Sequence, residues 1–209
     1  MPGPSRLRPL QPTAQPLTLR NRMIEAGWAL MRTRGYHLSS TRDVLEKTGG
    51  SPGTFTGHFR TKEDFALAIL EREFAALREV EEQILDDRKR PPRWRLDAYF
   101  KALANRLTDG KTICRCLIGE FGREAPATGC DRLKARVAEV HARWLETVTG
   151  VVMEGKQQGG YVAKLPPKEA AAFLLAGWQG ACAQAAADNN PDPMNRFRET
   201  ALALLFARS

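Results

Sequence analysis

RNRMIEAGWALMRTRGYHLSSTRDVLEKTGGSPGTFTGHFRTKEDFALAIL, residues 20–70, is the stretch that decides the fold. Ile24, Trp28 and Met31 recur at helical spacing and the run stops at Gly35, in the position of a C-cap, so a first helix spans about 18–34. Ser40 followed by Asp43 is a capping-box pair, opening a short helix that ends before Gly49-Gly50. Ser51 reads as the next N-cap with Pro52 at the first helical position, where a missing N–H costs nothing. That third helix runs to about Phe59. Thr61 and Asp64 repeat the cap pattern and open a long fourth helix through Phe65, Ile69, Leu70, Phe74 and Leu77 toward Leu85.

Working outward, Asp86 to Pro92 is charged and ends in two prolines, which interrupts the helix. Beyond it the spacing predicts helices near 93–108, 111–123 and 129–156. Leu133, Val137, Val140, Trp144, Val148 and Val151 line the last of these. Pro166-Pro167 start a helix over 168–188, and Asp192-Pro193 start a final one over about 193–207. No segment shows strand alternation with hairpin turns, so the fold class is all-α. Upstream, residues 1–17 carry Pro2, Pro4, Pro9, Pro12 and Pro16 with Arg6 and Arg8 among them, which reads as a disordered basic arm. The expected organisation is therefore this arm, a helix-turn-helix head over 18–78 with its motif at about 40–59, and a helical body over 79–209.

The 209-residue chain has a formal net charge of +8, which suits an anionic partner. No run approaches the roughly 20 apolar residues needed to span a bilayer, and no signal-peptide core is present, so a cytoplasmic protein without membrane partners is expected. Four cysteines are too few for a disulfide framework and point to a reducing compartment. Cys114, Cys116, Cys130 and Cys182 lack the paired spacing of zinc sites, and neither a metal nor a cofactor is expected.

Two short helices joined by a glycine-built turn inside a three-helix cluster are the pattern of a helix-turn-helix. Between Thr18 and Lys62 the bases Arg20, Arg22, Arg32, Arg34, Arg42, Lys47, Arg60 and Lys62 outnumber the acids Glu25, Asp43 and Glu46 by five. The whole stretch resembles the N-terminal head of TetR-type regulators. Gly35-Tyr36, Ser39-Ser40, Arg42-Asp43-Val44, Gly49, Ser51-x-Gly53-Thr54-Phe55, His58-Phe59 and Lys62-Glu63 carry the likeness in register over about 50 residues.

The resemblance implies a DNA-binding transcription regulator whose recognition helix, Pro52 to Phe59, enters the major groove while Phe55 and Phe59 anchor it. Gly53 lets the backbone approach DNA, and Thr54, Thr56, Gly57 and His58 are the candidates for base or phosphate contact. Ser40, Arg42 and Lys62 are read as phosphate holders, and Ser51 opens a helix N-terminus whose N–H donors suit phosphate oxygens. Thr56 stands where the family usually has a tyrosine, while Leu45 and Gly50 replace a small alanine and an apolar turn residue. Gly50 and Gly57 are expected to loosen the head.

TetR-like proteins pair through their last two helices, here 168–188 and 193–207, and the first of these is rich in alanine and glycine with Phe173, Leu174 and Trp178 as large contacts. Internal packing is the other use of the same residues. A homodimer would present two recognition helices to a palindromic double-stranded DNA operator, roughly 34 Å apart. A small-molecule effector that favours another spacing would release it. KTICRCLIGEFGREA (residues 111–125), with FLLAGWQGA (173–181) further on, resembles the branch that responds to electrophiles or small unsaturated acids through a cysteine, and Cys116 is the matching position. Cys116 reads either as a reactive thiolate near Arg115 and Lys111 or as a small core residue, and Cys114, two apart on the same expected helix, points away from it. Phe121, His141, Trp144 and Trp178, with Phe100 and Cys182, are candidate pocket walls or simply core. Two further readings stay open: a non-specific nucleic-acid-binding protein using charge alone, and a cysteine-dependent enzyme with His141 or His58 as base. Three histidines outside any catalytic motif speak for a non-enzyme.

Overall fold

In the computed structural model, which describes residues 18–207, the chain is a succession of helices. They are α1 (Leu19–Arg34), α2 (Thr41–Thr48), α3 (Pro52–His58), α4 (Lys62–Val80), α5 (Pro92–Leu107), α6 (Leu117–Ala127), α7 (Asp131–Gln157), α8 (Pro167–Asp188) and α9 (Asp192–Leu205). The expected basic arm lies outside the described residues. No helix among those described is long and apolar enough to cross a membrane.

Local chemistry sets the head's boundaries. Ser40 and Thr61 each accept from the backbone N–H three residues on, and Asp43 and Asp64 return the bond, so both capping boxes are complete. Ser51 caps α3 with Pro52 at its first position. Gly49 ends α2 in the left-handed region at φ 68°, which glycine adopts without a Cβ penalty. Packing then fixes how the helices sit: Phe55 and Phe59 of the α3 turn meet Phe65 of α4 with ring centroids 5.2 and 4.8 Å apart. A Cβ on Gly27 of α1 would stand 2.3 Å from Phe65 Cζ, so α1 and α4 approach as closely as they do only because residue 27 is glycine.

Three expectations need correction. The helix placed at 111–123 is instead a two-residue hairpin, β1 (Thr108–Asp109) and β2 (Thr112–Ile113), followed by the later-starting α6. Gly110 turns it at φ 58°. Asn189 then brackets the hairpin from the end of α8: it accepts from the Ile113 N–H at 2.9 Å and donates to the Lys111 carbonyl at 2.9 Å. Cys114 and Cys116 thus lie on the segment entering α6, not on a helix. The long fourth helix also stops at Val80 and continues as a π-helical turn, Glu81–Leu85. Arg95, 1 % exposed, donates to the Leu85 carbonyl at 2.5 Å and pairs with Glu154, so the turn is held by a buried guanidinium. Finally, Gly50 does not loosen the head. A Cβ there would meet Leu45 Cδ2 at 2.8 Å and Met23 Cε at 2.9 Å, so this glycine marks the tight seat of the turn against α1.

Candidate nucleic-acid interface and effector site

The seven residues of α3 divide by helical periodicity. Phe55 points inward, and 100° steps place Gly53 and Gly57 on the ridge opposite to it, with Thr54, Thr56 and His58 on the flanks. Nothing inside the chain needs either glycine: a Cβ at Gly57 would meet nothing within 4 Å, and one at Gly53 only the Ser51 hydroxyl at 3.9 Å. Each nevertheless costs about 0.8–1 kcal/mol of helix propensity relative to alanine. A bare outer ridge kept at that cost is suited to close approach by another surface.

Around the ridge, Thr54 shares a 2.8 Å hydrogen bond with the Ser51 hydroxyl, and Thr56 returns its hydroxyl to the carbonyls of Pro52 and Gly53. His58 is exposed. Ser40 spends its oxygen on a cap, so what it offers outward is the hydroxyl hydrogen, whereas the Ser51 hydroxyl caps α3 and also meets the Thr54 hydroxyl. Arg42 is exposed and pairs with Glu46 across one turn of α2 at 3.0 Å, a contact too solvated to fix it. The Lys62 ammonium lies 4.6 Å from the Tyr36 ring centroid, where burial lowers its pKa. Arg32, counted with the head's bases in the sequence, is not available to a partner: it is buried over the Trp28 ring and donates to the Arg106 carbonyl. Arg22, Lys47 and Arg60 are exposed, with no ion pair among the described residues. Between α2 and α3 an open concavity of about 640 Å³ has Leu45 and Phe55 as its floor and Thr41, Arg42 and Thr56 among its rim.

In the body, a cleft of about 130 Å³ opens between the start of α6 and the middle of α8, lined by Cys116, Gly119, Glu120, Arg123, Gln179, Gly180, Cys182 and Ala183. Cys116 is the N-cap residue of α6. Hydrogen bonding from the Cys182 thiol, joined by the N–H groups of Gly119 and Ile118, outweighs burial and holds the Cys116 thiol below the ordinary cysteine value. Burial pushes Cys182 well up. Glu120 is buried beneath the cleft and neutralised by Arg115 and Arg123.

Of the expected effector residues and pocket walls, Cys116 and Cys182 line this cleft. Phe121, Trp144 and Trp178 are buried, Trp178 against Phe100 at 5.2 Å and Trp144 donating to the Tyr99 hydroxyl at 2.8 Å. His141 is half-buried beside Trp144. Glu120 and Arg123 were not anticipated; their spacing one and two turns after Cys116 was the available signal, as was the placing of Gln179 and Ala183 at i−3 and i+1 from the expected wall Cys182. No group of His, Cys, Asp and Glu among the described residues could hold a metal ion.

The cleft is tied to the head at both ends of α6. The Arg115 N–H, just before the helix, donates to the Arg32 carbonyl of α1 at 2.7 Å. Near its C-terminus, Glu124 accepts the His37 N–H at 2.8 Å. Arg132 at the start of α7 adds ion pairs to Glu63 and Asp64 of α4 at 2.9 and 2.7 Å.

On α8, residues expected at a subunit interface divide. Ala170, Ala171, Ala181 and Ala185 pack inside the chain, and Gly177 lets Phe197 of α9 approach to 2.3 Å from where a Cβ would stand. Phe173 and Leu204 stay outside, 45 % and 62 % exposed, with Ala172, Ala176 and Gly180 beside Phe173 on the open face of α8.

Comparison with known proteins agrees with this architecture. The family of bacterial regulatory proteins called tetR matches residues 23–69, and a tetracyclin repressor-like C-terminal domain matches residues 92–201. The chain is 30 % identical to the HTH-type transcriptional repressor DhaR of Mycobacterium sp. strain GP1 over 86 % of its own length and 88 % of the relative's. It is 27 % identical to the HTH-type transcriptional repressor NemR of Escherichia coli K12 over 84 % and 87 % of the two chains. Among solved structures, a regulatory protein TetR from Rhodobacter sphaeroides superposes with a TM-score of 0.84 at 24 % identity, covering 90 % of this chain and 98 % of that one.

Proposed function

Since the chain belongs to the TetR family of bacterial regulatory proteins, we propose that it is a homodimeric transcriptional repressor, released from its operator by a small electrophile. The head, residues 18–78, presents the Gly53/Gly57 ridge of α3 to the major groove. Thr54, Thr56 and His58 reach base edges or phosphates beside it, and Ser40, Arg42, Ser51 and Lys62 hold the backbone. The body, residues 79–209, pairs with a second copy through the exposed face of α8 and α9 around Phe173 and Leu204, which are apolar surface a lone chain leaves in water. Such a dimer acts in the cytoplasm on a palindromic site.

The observation that carries this reading is the placement of α6, with Cys116 in the cleft at one end and the head's His37 turn held at the other. An adduct at Cys116 enlarges the cleft wall, shifts α6 and disturbs the Arg115–Arg32 and Glu124–His37 contacts that orient the head. Release follows because the two heads no longer match successive grooves. The cleft thiols are accordingly assigned to sensing and not to turnover.

Operator and random duplexes, with and without N-ethylmaleimide as the electrophile, test the proposal. Discrimination of roughly 10³-fold or more is expected from a sequence-specific regulator. Alkylation is expected to remove it in the native chain and to leave it intact in Cys116→Ser. Equal binding to all duplexes would favour a protein that uses charge alone.

A further inference from the structure

Resting on the cleft as the effector site, we infer that Cys182 is the resolving thiol for Cys116, so that a hydroperoxide closes a disulfide between the start of α6 and the middle of α8. The two cysteines line one cleft, Cys116 at the N-cap of α6 and Cys182 on the facing stretch of α8. The remaining cysteines lie elsewhere: Cys114 is buried near Arg32, and Cys130 at the head of α7 stands 3.4 Å from the Tyr36 hydroxyl.

The pair is asymmetric in the way that a two-step oxidation requires. Cys116 is partly open to solvent, and the N–H groups of Gly119 and Ile118 add to the stabilisation of its thiolate. Cys182 is 1 % exposed and kept protonated by burial. The first attack therefore falls to Cys116. Access favours a small oxidant: the cleft holds about 130 Å³, and a Cβ at Gly180 would meet nothing while one at Gly119 would reach only Gln179.

In the first step the Cys116 thiolate attacks one peroxide oxygen, the O–O bond breaks, and the displaced hydroxide takes up the proton that Cys116 released, giving a sulfenic acid and water. In the second, the Cys182 sulfur attacks the sulfenic sulfur, the S–O bond breaks, and hydroxide leaves with the Cys182 proton as a second water. Two thiols lose two electrons and the peroxide gains them. A disulfide fixes the two sulfurs about 2 Å apart across the cleft, so closure draws α6 toward α8, through the same helix that holds the His37 turn.

The test uses the full chain treated with hydrogen peroxide, mapped by peptide mass after blocking free thiols, with dimedone as a trap for sulfenic acid. The expected result is a Cys116–Cys182 peptide within one chain, a loss of two hydrogens per chain, and recovery with dithiothreitol. Cys182→Ser and Cys182→Ala should form no disulfide and accumulate a dimedone adduct on Cys116. Pairing of Cys116 with any other cysteine, or no oxidation in the native chain, overturns the inference. N-ethylmaleimide separates this from failure of the effector site. If alkylation of Cys116 still releases DNA while no disulfide forms, only the resolving role falls; if alkylation is also silent, the effector site itself is misplaced.

Discussion

Replacing Gly53 and Gly57 together by alanine sets folding against binding. Both positions are helical and neither meets a packed neighbour: the nearest atom to a new Cβ is the Ser51 hydroxyl at 3.9 Å. In a helix interior each change stabilises by about 0.8–1 kcal/mol. Because α3 has only seven residues and both glycines lie near its ends, about 1 kcal/mol for the pair is the fairer figure. A chain of this size then melts roughly 2–4 °C higher. On DNA the same two methyl groups would stand on the ridge proposed to approach the groove. Forcing the surfaces apart by about 1.5–3 kcal/mol weakens operator binding on the order of 10- to 100-fold. Thermal melting and fluorescence anisotropy on one preparation read both effects. A variant that melts higher and binds its operator as tightly as the native chain would refute the placement of this ridge in the groove.

The remaining expectations concern other parts of the molecule. Lys62→Ala should weaken binding to every duplex alike and lower the salt slope by about one, whereas Thr54→Ala and His58→Ala should change which bases are preferred, as read by competition with single-site operator variants. Gly50→Ala forces Leu45 and Met23 aside and is expected to destabilise the chain by about 1–2 kcal/mol in urea titration. Glu81 is 5 % exposed, its Oε1 has no hydrogen-bond partner, and burial raises its carboxyl from 4.5 to about 7 despite Arg78, Tyr99 and Arg143. The native state therefore holds that proton more tightly than the unfolded chain. Its contribution to stability is full below pH 4.5 and is lost as pH rises to about 7, on the order of 3 kcal/mol. Glu81→Gln should gain that stability relative to the native chain at pH 8 and show no gain at pH 4, by urea unfolding at both. Phe173→Lys with Leu204→Lys is expected to leave the helical content unchanged and to convert the dimer to monomer by sedimentation.

What could be read in advance was local. The caps at Ser40, Ser51 and Thr61 and the glycine that closes α2 are set by residues within three or four positions of one another, so the head was legible to within a residue or two. The hairpin at 108–113 was not, because the group that holds it, Asn189, arrives from the far end of α8. Gly50 was misread for a similar reason: the Met23 methyl that it makes room for belongs to α1. Cys116 could be singled out in the sequence, but its place beside Cys182 in one cleft depends on how α6 docks against α8. The expected pocket walls Phe121, Trp144 and Trp178 are aromatic because they fill the core, which the sequence pattern alone leaves equal to lining a cavity.

Selection of bound duplexes from a random pool, with the full chain at a concentration where its oligomeric state is known, tests the central claim most directly. Two copies of one head, held by the α8 and α9 faces, should enrich an inverted repeat whose half-sites lie about one helical turn apart. Enrichment of no motif, or of a single unrepeated half-site bound by a monomer, would contradict it.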